Sequence, residues 1–309
     1  MLSDAVFILG NVLLPVILIA VLGAVLQSFK PLDLKTLVSV SIYIFVPIYV
    51  FVRIFDSSIP FSEVARMAVV VMGSMAVVGI VLWGFLRGRG EPKSATSSAV
   101  VAAMFFNAGN LGIPVAELAF GEDGGRVQPL LMMFVGMSTF VIGYPLLARG
   151  QGKGWMSAIG AFLRLPYVYA ILLAVLMRTL QVEIPAPVRS SLDRIAAGMI
   201  PVALFTLGAQ VAQQARWPRW RLIAPVLVFK LLVMPIVAAA FVYCMGMWPF
   251  PGKVIILATT APAAVNTLLI AIEADGDAEL AADCVFWTTL ISILTIPIAL
   301  AIIRSVLAM

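Results

Sequence analysis

Asparagine, glycine, threonine and proline gather twice inside long apolar runs of this chain. The first cluster is Phe105-Phe-Asn-Ala-Gly-Asn-Leu-Gly-Ile-Pro114 and the second is Thr259-Thr-Ala-Pro-Ala-Ala-Val-Asn-Thr267. The amides of Asn107, Asn110 and Asn266 can each donate and accept hydrogen bonds, and Thr260 adds a hydroxyl. Gly109 and Gly112 give the backbone freedom to leave a helix. Pro114 and Pro262 each suit the first turn of a new half-helix, where a missing N–H costs nothing. The chemistry these residues offer is non-covalent. Half-helix N-termini concentrate free N–H groups and partial positive charge, so two of them facing one cavity favour an anion such as a carboxylate. Either cluster alone reads equally well as a mere kink. The pair, one in each half of the chain, favours a ligand site, because interrupted segments in corresponding places mark the binding site of many carriers.

Few charged residues share this depth. Lys230 lies in Val226-Leu-Val-Phe-Lys-Leu-Leu-Val233, about 14 Å along a helix from Arg221 at ~1.5 Å per residue. An ionisable group so deep is a functional-site candidate. Two roles stand open for it: countercharge to a substrate carboxylate, or structural partner of Glu117 or Glu273. Those two glutamates are also candidates for coupling to H+ or Na+. Arg53 and Arg164 fall nearer span ends and read as interfacial. Tyr43, Ser138, Thr139, Thr206 and Gln210 are candidate cavity groups whose facing the sequence leaves open. The chain has no histidine, which removes Ser-His catalysis, histidine metal sites and histidine proton relays. Cys244 and Cys284 lie in apolar runs and read as small buried hydrophobes rather than a disulfide pair. No metal site and no cofactor is expected.

The elements that must position these groups are membrane helices. Of 309 residues, 62% are hydrophobic and 11% charged, whereas a soluble domain carries roughly 25% charged residues. Apolar runs near the ~20 residues that span a bilayer fall at 5–27, 36–55, 62–86, 97–120, 127–147, 157–180, 190–213, 221–245, 253–273 and 283–307. The first run lacks a basic leader and a clear cleavage site, so it reads as a retained span. Basic residues cluster in alternate loops, at Lys30 and Lys35, Arg87 to Lys93, Arg149 and Lys153, and Arg216 to Arg221. The positive-inside rule makes these loops cytoplasmic and puts both termini outside. The net charge of +5 is then topological and does not point to nucleic acid. One loop dissents, since Asp275, Asp277 and Glu279 share a cytoplasmic loop with no Lys or Arg.

Five spans precede the Gly-rich stretch 149–156 and five follow it. The division predicts a first repeat over 1–148, a short cytoplasmic linker over 149–156 and a second repeat over 157–309. Proline spacing supports a duplication, since Pro31 and Pro47 stand sixteen apart, as do Pro185 and Pro201. An odd number of spans per repeat inverts the second relative to the first. The expected fold is therefore an all-α membrane protein of ten transmembrane helices, with broken helices four and nine crossing at mid-membrane.

On these features the chain resembles the auxin efflux carrier family of secondary transporters. The resemblance rests on the five-plus-five plan, on Asn107-Ala-Gly-Asn-Leu-Gly-Ile-Pro114 and on Ala261-Pro-Ala-Ala-Val-Asn266. It implies a scaffold domain from spans one, two, six and seven, and a transport domain carrying the crossing. It also implies an elevator-like carrier of organic anions, often dimeric through the scaffold, with Asn110, Pro114, Pro262 and Asn266 in the crossing roles. The short centre, without the long hydrophilic loop of many plant exporters, resembles compact bacterial members that move malonate or malate.

The expected function is thus secondary transport of a small carboxylate, most simply a dicarboxylate such as malonate or malate, through the bacterial inner membrane. One alternative is a sodium- or proton-coupled carrier or antiporter of related ten-helix design, taking an auxin-like acid, a bile-acid-like solute or a cation. A membrane-embedded enzyme is the distant alternative, because no nucleophile–base pair or metal cluster is spaced for catalysis.

Overall fold

The computed structural model describes residues 14–57, 59–148, 160, 163–212 and 219–307. The linker expected at 149–156, the first residues of span one and the side chain of Glu273 lie outside the described part. In chain order the helices are α1 (Leu14–Phe29), α2 (Leu34–Phe55), α3 (Phe61–Gly88), α4 (Lys93–Met104), α5 (Gly112–Phe120) and α6 (Glu122–Leu147). They continue as α7 (Pro166–Thr179), α8 (Ala186–Gln210), α9 (Trp220–Cys244), α10 (Gly252–Thr259), α11 (Val265–Glu273) and α12 (Ala278–Leu307). Six of these, α2, α3, α6, α8, α9 and α12, are long and apolar enough to cross a membrane. The other four expected spans fall on the shorter apolar helices α1 and α7 and on two interrupted pairs, α4–α5 and α10–α11.

Local sequence explains the departures from regular helix. Three π-helical turns interrupt α2 at Ser41–Phe45, α6 at Thr139–Gly143 and α9 at Phe229–Val233. Each stands just before a proline, at Pro47, Pro145 and Pro235. A proline ring clashes with the carbonyl four residues back and cannot donate to it. Widening the preceding turn relieves that clash without breaking the helix, and such turns recur at functional sites. At the start of α2, Asp33 caps the helix by accepting from the Lys35 N–H at 3.0 Å and from the Thr36 hydroxyl at 2.6 Å.

Packing divides the helices into two sets. Helices α1, α2, α7 and α8 pack on one another, with α1 against α8 and α7 against α2. The interrupted pairs pack with α3, α6, α9 and α12. At the α1–α8 contact the backbones nearly touch. A Cβ on Gly23 would overlap the Phe205 carbonyl and one on Gly208 the Ala20 carbonyl, which is the small-residue packing that membrane helices use in place of a hydrophobic drive. In the other set, α4 is buried from Ala95 to Met104 on every face, although its composition is rich in Ser, Thr and Ala rather than Leu. Large apolar side chains such as Ile80, Ile236 and Leu294 are exposed, as a lipid-facing surface requires. Cys244 corrects the expectation above: it is exposed, whereas Cys284 is buried. Its helix turns that side away from the packed interior.

Ion pairs tie helix ends into two faces. Arg189 pairs with Asp56 at 2.6 Å and Lys253 with Asp123 at 2.7 Å on one face. Arg219 pairs with Asp277 at 2.8 Å and Arg221 with Glu91 at 2.7 Å on the other. Every one of these contacts joins loops that the charge pattern assigned to the same side. They also account for the dissenting acidic loop, because the basic partner of Asp277 comes from the loop before α9. Burial alone would push the Asp277 carboxyl up; the Arg219 hydrogen bonds and the Leu280 N–H outweigh it and hold the group below the usual carboxylate range.

Candidate functional site

The two broken segments meet. Phe106 and Ala263 form an antiparallel bridge, in which the Asn107 N–H donates to the Pro262 carbonyl at 2.7 Å and the Ala264 N–H to the Phe105 carbonyl at 2.9 Å. Each extended segment thereby satisfies backbone groups that the other frees, which is the condition for non-helical backbone at bilayer depth. The Ala263 N–H donates to the Thr288 hydroxyl of α12 at 3.0 Å, and Gln128 of α6 donates to the Ala108 carbonyl at 2.9 Å. Helices on either side therefore clamp the crossing.

The half-helix starts differ from the expectation in one respect. Pro114 does lie in the first turn of α5, which begins at Gly112. Pro262 does not open a helix: α11 begins at Val265, after Ala264 in extended conformation, and Pro262 sits in the paired strand. Its missing N–H is harmless there, since the bridge uses its carbonyl. The two starts also differ in openness. The Gly112 and Ile113 N–H groups of α5 donate to the Asn107 and Gly109 carbonyls at 2.9 and 3.1 Å. The Thr267 N–H and hydroxyl of α11 turn back to the Ala264 carbonyl, and its start at Val265 and Asn266 faces a cavity.

That cavity measures about 170 Å³, well above the ~10–15 Å³ that one water needs. Asn107, Gly109, Asn110 and Asn266 line it on the crossing side. Ser41, Thr139, Tyr167, Thr206 and Gln210 face them from α2, α6, α7 and α8. Several polar atoms here are buried without a protein partner: the Asn107 Nδ2, the Ser41 and Thr206 hydroxyl oxygens and the Gln210 Oε1. Buried polar groups are normally satisfied, so an orphaned set around one cavity points to a polar occupant. No Lys, Arg, Asp or Glu lines the wall among the described residues.

Other residues singled out in the sequence lie apart. Gly112 packs where a Cβ would meet the Gln128 side chain and the Asn107 carbonyl, so it serves the tight turn. Thr260 spends its hydroxyl on the Leu257 carbonyl at 2.6 Å. Lys230 is fully buried in its π turn, 3.4 Å from the Thr259 carbonyl and 4.9 Å from the centre of the Phe106 ring. Phe106 lines the cavity and Lys230 does not.

Glu117 takes a partner that the sequence did not offer it. The Tyr49 hydroxyl and the Arg53 guanidinium of α2 both donate to its carboxylate, and Arg53 also lies over the Tyr49 ring. Arg53 is therefore not a free interfacial arginine. It joins α2 to the half-helix α5, across the boundary between the two packing sets. Tyr43, 63% exposed, points away from the cavity. Ser41 was missed as a site residue, yet it carries a usable signal: it precedes Pro47 by the same interval that separates Thr139 from Pro145. Among the described residues no group of three metal-ligating side chains converges.

A cavity with unpartnered polar groups at a helix crossing, inside a bundle with an apolar surface, fits a membrane transporter, and comparison with known proteins agrees. Residues 156–300 match the family described as membrane transport protein. An uncharacterized transporter of Methanothermobacter thermautotrophicus is 25% identical over 92% of this chain and 95% of its own length. A protein of Rhizobium meliloti, provisionally named a malonate transporter, is 26% identical over 81% of each chain. These matches make the chain similar to membrane transporters over most of its length, and the resemblance to the auxin efflux carriers is borne out.

Proposed function

We propose that the protein carries a small carboxylate across the bacterial inner membrane by elevator-type alternating access, with ten spans in two inverted repeats and both termini outside. The observation that carries this reading is the cavity between the packing sets, where the start of α11, Asn107, Asn110 and Asn266 face Ser41, Thr206 and Gln210 in an otherwise largely apolar wall. A helix start and three amides can hold a carboxylate without a metal or a basic side chain. In this reading α1, α2, α7 and α8 are the fixed scaffold and can also supply a dimer contact. The remaining helices move with the crossing. The Arg53–Glu117–Tyr49 contact joins the two domains in the present conformation, so it must break or slide during transport. The name of the Rhizobium relative makes malonate the first substrate to test.

Purified protein in proteoliposomes tests the reading. Asn110→Ala and Asn266→Ala should each abolish carboxylate uptake while the variants remain monodisperse. Unchanged transport in both would sink the site. Replacing sodium by potassium outside the vesicles, and imposing a proton gradient, separates Na+ from H+ coupling.

A further inference from the structure

The two sides of the cavity are chemically unlike, and we infer that the site takes a monoanion with a hydrogen-bond-donating second end, a hydroxy acid or a singly protonated dicarboxylate. The inference rests on the carrier reading above and narrows its substrate. On the crossing side the Asn107 Nδ2 is a donor without an acceptor, beside the N-terminus of α11. Asn107 is 6% exposed, so this donor is held ready for a negative group. On the facing side, Gln210 presents an acceptor oxygen without a donor, and the Ser41 and Thr206 hydroxyls are likewise unpartnered. Ser41 and Thr206 are 3% and 1% exposed.

Charge sets the limit. The start of α11 carries only about half an elementary charge, and no basic side chain among the described residues lines the wall. A second full negative charge would be buried against Gln210 and two hydroxyls with no cation among the described wall residues, at a cost that such groups usually avoid by taking up a proton. A hydroxyl or a protonated carboxyl instead gives the Gln210 oxygen the donor it lacks. For malonate, carriage of the singly protonated form brings one proton along with the substrate, so the proton crosses without a titrating side chain of the carrier. Tyr167 is the one titratable side chain in the described wall. Behind it, Lys230 meets the Phe106 ring, and Glu117 is engaged by Tyr49 and Arg53.

The test is equilibrium binding of lactate, propionate and malonate to the full chain in nanodiscs over a range of pH. Lactate should bind about tenfold tighter than propionate, the fold-change of one hydrogen bond to a site built for it. Malonate affinity should fall about tenfold per pH unit above its second ionisation, while lactate affinity stays level and so reports that the protein's own groups are not responsible. Gln210→Leu should erase the lactate preference, so that lactate and propionate bind that variant equally; Thr206→Val serves the same purpose if that variant fails to fold. Equal binding of lactate and propionate, or malonate affinity that holds or rises with pH, overturns the inference while the carrier reading stands on propionate binding. Failure of all three acids to bind overturns both.

Discussion

Glu117 shows how little the identity of a residue fixes its role. Three residues past Pro114 it reads equally as a coupling group or a partner of Lys230, and the structure gives it Tyr49 and Arg53 instead. The pair is partly shielded, with side chains 28% and 20% exposed, so a charge-assisted bond of about 1–3 kcal/mol is the relevant scale. A double-mutant cycle with Arg53→Gln and Glu117→Gln, followed by thermal unfolding in detergent, should give a coupling energy within ~0.5–3 kcal/mol. Additive single effects would mean the contact contributes nothing. Thr288 is a second case. Thr288→Val strands the buried Ala263 N–H and should destabilise by about 1–3 kcal/mol, whereas Thr288→Ser should restore most of the loss. Nothing in the sequence of α12 marks this threonine among its neighbours, because its partner lies 25 residues away in an extended strand.

At the scale of elements, proline and glycine were the legible signals. The breaks after α4 and before α11 sit where Asn, Gly and Pro interrupt the apolar runs, since those residues leave or fail to continue a helix. The π turns before Pro47, Pro145 and Pro235 follow from the same ring clash. Less legible was α4, whose Ser and Ala residues look ill-suited to a membrane until close packing on every side supplies the reason. Close approach also gives a prediction. Gly208→Val puts side-chain atoms into the Ala20 carbonyl, and backbone cannot swing aside as a side chain can. It should lower stability by about 1–3 kcal/mol or more and impair transport by prying α1 from α8, whereas Gly84→Ala, inside α3 with open space around it, should cost nothing and raise stability by up to about 1 kcal/mol.

For the whole molecule, the ion pairs on each face make the sidedness testable. In a Cys244→Ser background, Asp56→Cys and Asp277→Cys should react with an impermeant thiol reagent from opposite sides of sealed vesicles. Labelling of both from one side would contradict the topology. The Asp277 pair also has a pH signature. Its carboxyl titrates below the ordinary range when folded, so the stabilisation is present above that range and is lost as pH falls through the lowered value. Wild type and Asp277→Asn should differ in melting temperature at neutral pH and converge in strong acid.

Sequence alone pointed to a membrane as the surrounding medium and located both breaks. Those properties follow from composition and from local backbone chemistry, which need no partner to be read. Asn107, Asn110 and Asn266 were found for the same reason. The tertiary structure decided which groups share a cavity: Ser41, Thr206 and Gln210 were brought to it, and Lys230 was placed against the Phe106 ring. It also gave Glu117 to Arg53 and the acidic loop to Arg219. Which face of a helix meets which neighbour depends on packing between segments far apart in the chain, and in an apolar span nearly every face looks alike in sequence.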